Sequence, residues 1–206
     1  MPKTKPFEEY SNAYDEWFER NHDIYDGELE AIRRLIPLPE VKGVEVGVGS
    51  GRFAAPLGIR IGVDPAEKMA IKAKRRGINV CRGVAENLPF CDGEFDFVLM
   101  VTTICFVDDI IRSFREVLRI LKPGGCIIVG LVDKESELGR QYLDKRHRSR
   151  FYKEATFFST EEVQNYLKEA GFHTVKIKQA LIFGETQETI LDGFGKGPFV
   201  VIRSVK

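Results

Sequence analysis

The sequence predicts an α/β fold built on a mostly parallel β-sheet with helices on both faces. Three observations carry this expectation. From residue 41 to 132, apolar runs alternate with helix-like segments across short loops, the pattern of parallel strands joined by crossover helices. The run Phe95–Val101 is apolar almost throughout, as in a strand buried on both faces. In Gly43-Val-Glu-Val-Gly-Val-Gly-Ser-Gly-Arg52, three glycines follow an apolar strand. Glycines let the chain turn sharply and let a ligand approach the main chain.

At 206 residues, one domain spanning 1–206 is expected. Thirty-one basic and thirty-one acidic residues cancel, so no basic excess points to nucleic acid or an anionic membrane. Cys81, Cys91, Cys105 and Cys126 form no Cys-x-x-Cys pair and have no histidine at ligand spacing, which argues against a zinc site or disulfide framework. No apolar run approaches the ~20 residues of a membrane span. The charged, aromatic start does not read as a signal peptide, so a cytoplasmic location is expected.

In chain order, Tyr10, Tyr14, Trp17 and Phe18 share one broad helical face near the N-terminus. They suit either a helix packed on the core or an aromatic lid over a pocket, which would occupy about 7–36. A second helix over 27–36 stops before Pro37 and Pro39. Strand one is expected at 41–46, followed by a short helix after Arg52 that Pro56 would interrupt or shift. Strand two covers 60–63 and ends at Asp64, and Pro65 suits the start of the next helix. That helix runs to residue 76, and Gly77 caps it. Strand three is 78–82, strand four Phe95–Val101, a helix follows over 108–121, and strand five is 126–132. The alternation then gives way to a polar, basic insertion at 133–158, centred on Lys145-Arg-His-Arg-Ser-Arg150. Thr160 with Glu161 and Glu162 marks a helix start, and β-like stretches remain at 172–183 and Phe199–Val205.

Ligands of open parallel sheets sit at the carboxyl ends of the strands, near the switch in strand order. There the glycine spacing is Gly-x-Gly-x-Gly, with Arg52 where a dinucleotide-binding turn has its third glycine. Gly-Lys-Ser/Thr is absent, so no triphosphate loop is present. Glu45, beside the turn, would repel phosphates and suits a cationic ligand. Asp64, ending strand two, can accept both hydroxyls of a ribose. Ribose, positive charge and no phosphate together describe S-adenosylmethionine.

The sequence resembles class I S-adenosylmethionine-dependent methyltransferases of the type 11, small-molecule-like group. The resemblance rests on Val44-Glu-Val-Gly-Val-Gly-Ser-Gly51, Gly62-Val-Asp-Pro65 with Met69, Ala85-Glu-Asn-Leu-Pro-Phe90, Phe95-Asp-Phe-Val98 and Arg115-Glu-Val-Leu-Arg-Ile-Leu-Lys-Pro-Gly-Gly125. It implies a Rossmann-like, doubly wound sheet of seven strands, the last antiparallel. It also implies cofactor-binding roles. Gly47, Gly49 and Gly51, with Glu45 nearby, would hold the methionine end, and Asp64 the ribose. Pro65 and Met69 would flank the adenine, and the main chain of Ala85 and Glu86 would meet its edge. Met100 and Val101 would contact the amino acid or sulfur. Val84 stands where relatives often carry an adenine-reading Asp, and Cys105-Phe106 where many carry a histidine pair.

Methyl transfer is in-line displacement, for which the protein chiefly aligns the reactants. Candidate bases are Tyr14, His22, Asp133, Tyr142 and His147. Tyr10, Tyr14 and Trp17 are lid candidates, and Asp133, Tyr142 and Tyr152 belong to the substrate-side segment. A small-molecule acceptor is favoured over RNA held by Lys145, Arg146, Arg148 and Arg150, because nucleic-acid methyltransferase motifs and a net positive charge are both missing. No metal is expected. A non-catalytic cofactor-binding protein is a further alternative, and a dinucleotide oxidoreductase is disfavoured by Arg52.

Overall fold

A computed structural model describes residues 3–37, 41–181 and 190–206. The chain opens with three short helices, α1 (Lys5–Glu9), α2 (Ser11–Arg20) and α3 (His22–Arg33). Then come β1 (Gly43–Val46), β2 (Ile61–Asp64), α4 (Glu67–Arg75), β3 (Asn79–Arg82), β4 (Phe95–Val101), α5 (Ile110–Ile120) and β5 (Leu121–Val132). α6 (Glu137–Lys145), α7 (Thr160–Glu169), β6 (His173–Ala180), β7 (Ile190–Asp192) and β8 (Phe199–Val205) complete it. Pro39 and the end of the expected 172–183 strand lie outside the described residues.

One sheet runs in the order β3-β2-β1-β4-β5-β8-β6-β7. β1 to β5 pair in parallel, and β8 runs antiparallel to both β5 and β6. The expected seven strands are thus eight, because a three-residue strand, β7, adds to the edge beside β6. Strand order reverses at β1, which lies between β2 and β4 and places the crevice at its carboxyl end.

The sheet is buried on both sides. Phe114 and Val117 of α5 and Val163 and Leu167 of α7 pack on Val98, Met100, Ile127 and Val129. On the other face, Ala31 and Ile32 of α3 and Ala73 of α4 pack with Phe97, Leu99, Ile128, Phe199 and Val201. β4 therefore buries alternate side chains in opposite cores, which accounts for its near-continuous apolar sequence.

One expectation needs correction. Residues 51–58 form consecutive turns rather than a helix. Pro56 lacks an N–H to continue a helix, and Gly58 turns the chain with φ of 76°. The helix expected to start at Thr160 does begin there, with Ser159 as its cap. The Ser159 side chain and Glu162 satisfy each other's backbone N–H groups in a capping box. No helix among the described residues is long and apolar enough to cross a membrane.

Candidate active site

At the carboxyl ends of β1 to β5 lies a cavity of about 600 Å³, within the ~300–1,000 Å³ usual for small-molecule sites. The glycine turn forms part of its wall. Gly47 has φ of 72°, and a Cβ there would fall 2.4 Å from the Thr103 side chain. Thr103 is fixed by donating to the carbonyls of Val46 and Val101, each at 3.1 Å. Thr103 thus holds the turn against the end of β4, which only glycine permits at position 47. Thr102, also on the wall, adopts φ of 48°, a strained conformation for a β-branched residue.

Asp64 faces the cavity and organises the turn. Its carboxylate accepts from the N–H of Gly49 and of Ala66, both at 2.8 Å. Burial raises its pKa to about 6 against the lowering effect of those two bonds. Each carboxylate oxygen keeps a lone pair for a further donor, so a ribose diol fits. Glu45 is 2% exposed, and its Oε2 has no hydrogen-bond partner among the described residues. Burial pushes it well above the ordinary carboxyl range, opposed by a backbone hydrogen bond from Ala54 and reinforced by Asp64.

Gly47, Gly49, Asp64, Pro65, Met69, Ala85, Glu86 and Val101 line the cavity, together with Tyr14, Trp17, Tyr142 and Tyr152. Glu45 is buried and is not among the residues lining it. Gly51 packs against Ala73 and Ile78 instead. Met100 points into the core beneath α5, on the opposite sheet face from Val101. Tyr10 lies outside the wall, edge-on to Phe151 with ring centres 6.4 Å apart and under the Arg150 guanidinium. Asp133 is buried as a brace. It accepts from the backbone N–H and the hydroxyl of Thr160 and from the N–H of Glu135, tying the 133–158 segment to α7. His22 and His147 are exposed and lie off the cavity wall.

The roof comes from the N-terminal helices. Tyr14 packs edge-on to Phe7, Phe18 and Phe151, with centres 5.2–5.9 Å apart, and a Cβ on Gly49 would lie 3.7 Å from its hydroxyl. Across the cavity, Tyr142 stacks on Tyr152 at 5.3 Å. Burial, followed by nearby carboxyls, raises the pKa of Tyr14, and burial then Glu28 that of Tyr142, which makes both poor bases near neutral pH. A residue not anticipated from the sequence stands among them. Glu28 of α3 is on the wall and 7% exposed, and burial alone lifts its pKa to about 8. The signal was present. Glu28 lies one helical turn after Ile24 and before Ile32, an acid on an apolar face.

Residues 44–129 match the family model described as a methyltransferase domain. The fold matches a crystal structure of an S-adenosylmethionine-dependent methyltransferase of Thermotoga maritima, described as a possible histamine N-methyltransferase. That match has a TM-score of 0.94 and 51% identity, over 98% of this chain and 99% of that one. An uncharacterized protein of Methanocaldococcus jannaschii is 44% identical, over 97% of this chain and 98% of its own length. Among relatives named for an activity, a demethylmenaquinone methyltransferase of Staphylococcus saprophyticus is 28% identical over 57% of this chain and 61% of its length. A glycine turn held by the buried Asp64 carboxylate at the strand ends and these relationships converge: the chain belongs to the S-adenosyl-L-methionine-dependent methyltransferases.

Proposed function

We propose that the enzyme methylates a small molecule held in the aromatic part of this cavity. The observation that carries the reading is the enclosure: α1 and α2 cover the strand ends, and Tyr14, Trp17, Phe106, Tyr142, Phe151 and Tyr152 wall the space beyond the glycine turn. A basic RNA-binding face is the weaker alternative, because Lys145 and Arg148 border this same cavity and Arg150 packs over Tyr10. In this reading the chain is one domain, with a lid over about 7–36 and a substrate-side segment over about 133–158.

The bound cofactor supplies a methyl group already activated on a sulfonium sulfur. The turn at Gly47 and Gly49 receives its methionine end, with Glu45 close behind. Asp64 accepts the ribose hydroxyls. Pro65 and Met69 flank the adenine, and the main chain at Ala85 and Glu86 meets its edge. Val101 and the neighbouring main chain border the reacting centre. Holding acceptor and donor in line contributes on the order of 7–11 kcal/mol. The lid keeps water out, and the aromatic walls favour a cationic donor.

Calorimetry with the demethylated cofactor, S-adenosylhomocysteine, tests the seat. Micromolar or tighter binding is expected, weakened about tenfold or more in Asp64→Ala through loss of charge-assisted hydrogen bonds. Unchanged affinity in that variant refutes the ribose assignment.

A further inference from the structure

Three acids lie on the cavity wall: Glu28, Asp64 and Glu86. Two have donors. Asp64 is held by the N–H groups of Gly49 and Ala66, and Glu86 accepts from the N–H groups of Asp108 and Asp109 at 2.7 and 3.2 Å. Glu28 has no hydrogen-bond donor or basic partner among the described residues, although it is more than nine-tenths buried. A buried carboxyl without a partner is costly, and a ligand that completes it removes that cost. Its surroundings narrow the ligand. Tyr14, Tyr142 and Tyr152 line the same cavity as Glu28. One carboxyl among aromatic faces is the chemistry that recognises an amine.

We propose that Glu28 binds the methyl acceptor and that the acceptor is a small molecule presenting an amine to it. This rests on reading the cavity as the common seat of cofactor and small acceptor. The pairing also suits the reaction. A free amine protonates near pH 10 and an ordinary carboxyl near 4, but burial penalises both charged forms. An ammonium paired with Glu28 can therefore return its proton to the carboxylate and expose the nitrogen lone pair. As the nitrogen–carbon bond forms, the carbon–sulfur bond breaks and sulfur keeps the electron pair. With Glu28 already holding the first proton, the proton shed by the methylated nitrogen leaves to solvent or stays on a product ammonium. Lys3, Lys145 and Arg148 border the same cavity, which disfavours polycationic acceptors more than monocationic ones.

The test uses the full chain loaded with S-adenosylhomocysteine. Calorimetry compares 2-phenylethylamine and histamine with the neutral isostere 2-phenylethanol. Mass spectrometry then follows methyl transfer from S-adenosylmethionine to amine, phenol, quinol and thiol panels. The amines should bind at least about tenfold more tightly than the alcohol and be the group methylated. Glu28→Gln should lose about ten- to hundredfold in amine affinity, the scale of one charge-assisted hydrogen bond, while binding S-adenosylhomocysteine within about twofold of wild type. Glu28→Asp should recover part of the loss. The amine-to-alcohol comparison on unmodified protein stands whether or not the variants fold. Methylation of phenols, quinols or thiols with amines refused overturns this inference and leaves the small-molecule function intact. Amine affinity unchanged in a folded Glu28→Gln overturns it too. Cofactor binding with no small molecule bound or methylated overturns both.

Discussion

Glu28 and Asp64 are both buried acids, and burial moves both pKa values upward, yet their surroundings set different consequences. For Glu28, the unfolded chain releases its proton near 4.5, whereas the folded chain keeps it to about 8. Folding therefore binds a proton between these values, and stability falls as pH rises through that window. Glu28→Gln should shrink the loss of stability between pH 5 and pH 8 by on the order of 1–4 kcal/mol, read from urea unfolding at the two pH values. Glu45, displaced the same way, keeps part of the trend in the variant. An unaltered slope would mean that Glu28 is ionised in the folded chain. Asp64 titrates near 6. Its carboxylate form is the better acceptor of ribose hydroxyls, so affinity for S-adenosylhomocysteine should drop as pH falls from 7 to 5 in wild type and stay flatter in Asp64→Asn. The place of Asp64 on the cavity wall was legible because it follows from one local fact, its position at the end of a strand. Glu28 was marked only as an acid on an apolar helix face; the cavity it faces was not legible, because Tyr142 and Tyr152, which line it too, are more than a hundred residues away.

The roof helices are attached by charge. Asp15 of α2 accepts from the Ser50 hydroxyl at 2.6 Å, Arg52 Nε at 3.1 Å, and Lys72 and Arg76 at 3.2 Å each. Burial opposes its ionisation, but the bonds from Ser50 and Arg52, the charge of Arg76 and the bond from Lys72 prevail and hold its pKa below the ordinary value. The stability it contributes is present above the unfolded value, near 4, and is lost as pH falls through the lower folded value. Arg52 also pairs with Glu19 and lies over the Phe18 ring, 5.5 Å from its centre. Glu8 accepts from the backbone N–H groups of Glu67 and Lys68 at the start of α4. Asp15→Ala leaves two arginines and a lysine facing one another. It should cost about 1–3 kcal/mol of stability and raise the dissociation constant for S-adenosylhomocysteine several-fold by loosening the roof, both measurable by thermal melts with and without ligand. Arg52, which the sequence offered only as a missing third glycine, is thus the anchor of α2. Strand positions were legible to within a few residues because period-2 and continuous apolar patterns are strong. β7 was not, since three residues carry too little pattern, and the turns at 51–58 required knowing how Pro56 would be accommodated.

Across the molecule, the sheet separates two cores, and the site occupies only the carboxyl edge. Phe114 is fully buried under the sheet, in the core built with α7 and away from the cavity wall. Phe114→Ala should destabilise by about 3–5 kcal/mol while the folded fraction binds S-adenosylhomocysteine normally. A matching loss of affinity would show that the cores are coupled to the site. The sequence alone determined the sheet, the strand-end location of the site, the glycine turn and its acid, and through them the cofactor. Each follows from short-range chemistry: apolar periodicity, the need for positive φ, and the polarity of a strand end. Only the tertiary structure decided which faces of α2, α3 and the 133–158 segment meet over those strand ends. That choice depends on packing between segments far apart in the chain. It put Tyr14, Tyr142 and Tyr152 on one cavity wall with Glu28, turned Asp133 into a brace, and sent Met100 into the core.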